Sequence, residues 1–185
     1  MRLPHFGGRL TLLTVGVFLI AVLGTAGLLV TESVLAIRVI FLVLMMIAAA
    51  LTLTNRDRLL LALLVFYSTT VTLLSLFLTQ AIPPTIVFIA VAFLSTILAA
   101  FVAPSLTPTY LLYAAGIGLF AVQLLWLVGP WPFDPKSKVA ILTVFFYAAA
   151  GLERSLGASR RLGVAGIVWL FLILSVIVSV AEWQI

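Results

Sequence analysis

Long apolar runs fill this chain, broken by brief polar or proline-bearing stretches, and charge is almost confined to the breaks. A charged side chain in hydrocarbon costs about 2.5–3.5 kcal/mol on insertion scales, so the charges mark where the chain meets water. Proline supplies further breaks, because it has no backbone N–H to donate and disfavours helix in the residue before it. The pattern predicts helices at Leu10–Val30, Ser33–Thr54, Leu59–Thr79, Thr85–Ala103, Thr109–Val128, Lys138–Leu152 and Gly163–Ala181. Most approach the roughly 20 residues that cross about 30 Å of hydrocarbon. The expected fold class is all-α, a polytopic transmembrane helix bundle. Residues 1–185 form a single transmembrane domain in this reading, with no soluble domain.

Orientation follows from the basic residues, since cytoplasmic loops retain Lys and Arg. With the N-terminus cytoplasmic and seven spans, the inner side carries Arg2, Arg9, Arg56, Arg58, Arg154, Arg160 and Arg161, and the outer side only Lys136 and Lys138. That asymmetry places the C-terminus outside. Trp126, Trp131 and Trp183 then gather near the outer boundary, where indole rings favour the headgroup region. The sixth segment is the weak point: its apolar stretch, Val139 to Leu152, is about 21 Å long at helical rise. If it failed to cross, the count would be six and the two basic ends of that segment would share one side. Charge bias therefore favours seven.

Composition sharpens the class. Hydrophobic residues are 65% of the chain and charged ones 8%, against roughly half and a quarter in soluble domains. The net charge of +5 has its carriers beside apolar segments rather than in one patch, so topology control is expected and a nucleic-acid partner is not. With no cysteine, disulfides, thiolate metal sites and lipidated anchors drop out together. The first apolar run exceeds the 7–15-residue core of a signal peptide, which predicts an uncleaved first span.

Few side chains remain that could carry chemistry. Arg38 stands inside the second segment, about 8 Å below its outer end by helical rise. It reads as an anion or headgroup site, as a partner of Glu32 or Glu182, or as a side chain that snorkels to the interface; the shallow depth favours an anchoring role. Ser68, Thr72, Ser75 and Thr79 fall at i, i+4, i+7 and i+11, a polar stripe on one face of the third helix. Such a stripe lines a solute path or ties helices together, and packing is the commoner use of membrane hydroxyls. Gln123 is the amide set deep in a predicted helix, where it calls for a partner group. Gly24 with Gly27, Ser95 with Ala99, and Gly116 with Gly118 mark places where backbones can approach closely. In the outer loop, three prolines stiffen Gly129 to Lys136 and display Trp131, Phe133 and Asp134, a candidate partner-docking loop that could equally lie in the aromatic belt.

The single histidine, His5, sits in the N-terminal tail, which excludes a paired-histidine haem bundle. No predicted span has a Lys, Asp or Glu at its middle, against a retinal Schiff base or a proton relay. Catalytic residues, metal ligands and cofactors are therefore not expected. The sequence points to a non-catalytic membrane subunit that packs within or stabilises a larger membrane protein complex. Membrane lipids and other membrane subunits would be its partners, in a prokaryotic cytoplasmic membrane. A small-solute transporter, or its substrate-binding membrane component, is the second reading. The two differ in whether the Ser68/Thr72/Ser75 face borders a cavity or another helix.

Overall fold

The computed structural model describes residues 8–53, 58–103 and 107–155. Within them the chain is helical, with no strand: α1 Gly8–Thr31, α2 Leu35–Leu53, α3 Leu59–Leu78, α4 Pro84–Val102, α5 Pro108–Val128 and α6 Pro135–Ser155. Five of these helices, α1 to α5, are long and apolar enough to cross a membrane. The expected seventh segment, Gly163–Ala181, lies outside the described residues, as do the N-terminal tail and the basic stretch after Ser155.

Proline and local caps set the helix ends. Pro84 and Pro108 occupy first-turn positions, where a missing N–H is harmless because those amides have no partner inside the helix. At the end of α3 the backbone folds over itself: Gln80 N donates to the Phe77 carbonyl and Ala81 N to the Leu76 carbonyl, both at 2.9 Å. This Schellman arrangement needs a left-handed residue after the cap, and Gln80 supplies it with φ 59° although glycine is the usual occupant. The sixth helix starts at Pro135 rather than near Lys138. Asp134 takes the N-cap position and proline follows it, which adds about a turn that the charge pattern had assigned to the loop. At 21 residues α6 is about 31 Å long, though Lys136, Lys138, Glu153 and Arg154 flank a shorter apolar stretch.

Connections of a few residues return the chain antiparallel, and α3 takes the centre, touching α1, α2, α4 and α6. Its Leu61, Val65 and Phe66 are fully buried, and the Phe66 ring stacks on Phe146 of α6 with centroids 4.8 Å apart. The second layer is α4 against α5, with Val91 and Leu98 buried. Near the loop between α2 and α3, Arg58 lies over the Phe101 ring at the end of α4, 5.8 Å from its centroid. The second helix packs on α3 through Phe41, Met45, Ala48 and Thr52, one face at i, i+4, i+7 and i+11. Apart from Arg38, its remaining surface from Leu35 to Ile47 is exposed apolar side chain.

Candidate functional site

Charge collects at the end of the bundle where α1 passes into α2 and α5 into α6. Glu32 follows the last residue of α1, and its buried carboxylate has three donors. Ser33 N and Val34 N donate to Oε1 at 3.0 and 3.1 Å, closing the turn into α2. Lys136 Nζ donates to Oε2 at 2.6 Å, across 104 residues of sequence. The Glu32 carbonyl belongs to the last turn of α1 and has no acceptor role inside the helix, so Arg38 takes it: Nε donates at 2.6 Å and Nη2 also donates. Arg38 is thus half-buried against Glu32, but through the backbone oxygen, while the carboxylate belongs to Lys136. Glu182, the other acid considered for Arg38, lies outside the described residues.

The α5–α6 loop is stapled in the same manner. Asp134 accepts from Lys136 N at 3.0 Å and Ser137 N at 3.2 Å, and Ser137 Oγ donates to its other oxygen. Lys138 Nζ donates to the Gly129 carbonyl at 2.7 Å, satisfying an orphan acceptor past the end of α5. Trp131 and Phe133 meet edge to face, with centroids 5.6 Å apart. Asp134 therefore serves as a helix cap in a loop whose aromatic residues pack on each other.

These bonds move the titrations of the groups that make them. The Lys136 hydrogen bond, then that from Val34 N, hold Glu32 below the ordinary carboxylate range despite desolvation. The same contact with Glu32 raises Lys136 above the ordinary lysine range. For Asp134 desolvation pushes upward, but the bonds from Ser137 and Lys136 outweigh it and the carboxyl lies low. A carboxyl lowered on folding adds stability above its unfolded pKa, about 4.3 for Glu, and loses it as pH falls through the lower folded value. A raised lysine adds stability below about 10.4 and loses it as pH climbs through the higher folded value. Thermal unfolding in detergent should accordingly plateau between those limits. E32Q should make the acid limb shallower, leaving the part due to Asp134, and should flatten the alkaline limb as well, because Lys136 then loses the contact that raises it. An unchanged profile would mean that the pair does not form in solution.

The hydroxyl stripe turns toward α1. Ser68 is fully buried, and Thr72 Oγ1 donates to the Ser68 carbonyl at 2.9 Å and reaches the Gly24 carbonyl of α1 at 3.4 Å. A side-chain carbon on Gly24 would overlap Thr69 Oγ1 and stand 2.9 Å from Ser68 Oγ and 3.1 Å from the backbone nitrogen of Thr69. One on Gly27 would run into Thr72. Glycine is required here because the α3 hydroxyls fill the space a side chain would take. Ser75 is half-buried, and Thr79, at the exposed end of α3, donates to the Leu76 carbonyl at 3.0 Å. Ser68 and Thr72 thus lie at a close helix contact, Ser75 and Thr79 toward its open end.

Gln123 is exposed on α5 and is not set among the other described helices. Leu112, Gly116, Leu119, Phe120 and Leu127 share that face at helical spacing and are exposed with it. Beside this face Tyr113, Gly116, Ile117 and Phe120 border a groove of ≈ 500 Å³ against Ala149 of α6. Nothing lies within 4 Å of where a Gly116 side chain would begin. Among the described residues, no three His, Cys, Asp or Glu side chains converge as metal donors. No family model, no curated protein and no solved structure matches this chain.

On the sequence Lys136 and Lys138 stand as outer-side charges, whereas in the structure both tie the bundle end together. The Asp134-Pro135-Lys136-Ser137 run carried a signal for them, since an N-cap with proline behind it starts a helix and turns both lysines back toward the preceding loops.

Proposed function

We propose that this chain is a non-catalytic membrane subunit that packs within, and stabilises, a larger membrane protein assembly. Gln123 carries the reading. Gln123 lies five residues from the end of α5, about as deep as Arg38, but its short side chain does not span that distance to water as an arginine does, and polar side chains in hydrocarbon pair across helix contacts. Around it α5 offers what a neighbouring helix needs: a small residue at Gly116 for close approach, Leu119 and Phe120 for packing, and a groove alongside. The described charged groups at the bundle end cap helix termini and tie loops, a structural use of charge. The transporter reading loses its main support where Ser68 and Thr72 press on Gly24 and Gly27. The basic bias of the sequence supports a cytoplasmic N-terminus, seven spans with α6 as the sixth, and a prokaryotic cytoplasmic membrane.

A photo-crosslinking residue at Leu119, activated in native membranes, tests this. A crosslinked band containing a second membrane polypeptide is expected, reduced several-fold by Q123L. Crosslinks to lipid alone, or to the C-terminal segment of the same chain, together with purification as a lone monomer in mild detergent, would overturn it.

A further inference from the structure

We propose that the crevice between α1 and α2 holds one acyl chain of an anionic phospholipid, with the lipid phosphate on Arg38. The crevice is ≈ 350 Å³, bounded by Phe18, Thr25 and Leu29 of α1, by Leu42 and Met46 of α2, and floored by Leu61 of α3. That volume falls in the range of small-molecule sites, about 300–1,000 Å³. Arg38 sits at its mouth. On α2 it shares a face with Leu42, Met45 and Ala49, at i, i+4, i+7 and i+11, and all three of those residues line the crevice. From there it reaches across to the Glu32 carbonyl at the end of α1, so the guanidinium bridges the two helices that form the walls.

Among the described residues the charge at that end is unbalanced, with Glu32 and Asp134 set against Arg38, Lys136 and Lys138. Glu32 and Lys136 neutralise each other, and among the described residues no carboxylate pairs with Arg38. Guanidinium has five N–H donors in a planar fork, and two of its nitrogens engage the Glu32 carbonyl, leaving an edge for a phosphate. Thr25 lines the crevice as a residue, but its hydroxyl oxygen is itself buried and takes no part in the site. Phosphate and chain then meet a cation and an apolar channel in that order from the bundle end inward.

Native mass spectrometry of the full chain in mild detergent, titrated with phosphatidylglycerol or phosphatidylcholine of the same chains, tests the site. Phosphatidylglycerol should bind about tenfold more tightly than phosphatidylcholine, as charge-assisted bonds to a phosphate with an exposed anionic headgroup allow. R38Q should abolish the preference and R38K should keep part of it. A49F, which fills the crevice, should weaken both lipids, and it decides the matter if the Arg38 variants lose helical circular dichroism. Equal binding of the two lipids by the wild type, or undiminished phosphatidylglycerol binding by R38Q or A49F, would overturn the proposal. So would a photo-crosslinker at Val22 that captures a polypeptide instead of lipid.

Discussion

G118A should destabilise the bundle by about 1–3 kcal/mol, the usual range for overpacking a tight contact. A methyl there would overlap Thr96 Oγ1 and stand 2.7 Å from the Ala92 carbonyl oxygen, a backbone atom of the closest-packed pair, α4 and α5. The threonine cannot simply swing aside, because its hydroxyl already donates to the same Ala92 carbonyl at 2.8 Å. One helix must move. Alanine's better helix propensity returns up to about 1 kcal/mol, which is why the control matters. G16A carries the same propensity gain with nothing within 4 Å of the added carbon, so it should be neutral or slightly stabilising. Equilibrium unfolding in mixed micelles with increasing dodecyl sulfate measures both. Equal effects at the two glycines would deny that α4 and α5 meet where the structure puts them.

F66A probes the opposite fault, a void at the centre. Phe66 is fully buried and stacks on Phe146 with the rings inclined by 11°. In a water-soluble core such a truncation costs about 3–5 kcal/mol, part transfer from water and part cavity. In a bilayer the transfer part falls away, because lipid tails are as apolar as the protein interior. The expected loss is about 2–3 kcal/mol, measured by the same unfolding assay. A loss beyond about 5 kcal/mol would mean that unfolding exposes this region to water, against the membrane reading. A negligible loss would mean that the α3–α6 stack is not a packing centre.

How far the sequence could be read depended on the kind of force involved. Helix ends rest on charge, proline and capping, all local, and the observed ends of α1 to α5 fall within a few residues of the expected ones. The hydroxyl stripe was legible because Ser68, Thr72 and Ser75 repeat at helical spacing, and Gly24 and Gly27 were visible as small residues. That the two sets meet was not, since nothing in an apolar sequence says which helix lies beside which. Gln123 shows the same gap. Its depth could be counted from the end of α5, but that helix is apolar on every side, so no amphipathic phase told which face turns outward. For Arg38 a carboxylate is only one of the partners the sequence leaves open, a backbone carbonyl at a helix end draws a guanidinium just as well, and Lys136 has no local mark of its distant partner.

The Glu32–Lys136 contact also sets an order of events during synthesis. The two residues are 104 positions apart, so at about 5–20 residues per second the acid waits roughly 5–20 s for its lysine to leave the ribosome. During that interval the α1–α2 turn has local bonds alone, among them those from its own Ser33 and Val34 amides and from Arg38. The first two helices therefore enter the membrane as an open clasp, which the start of α6 fastens.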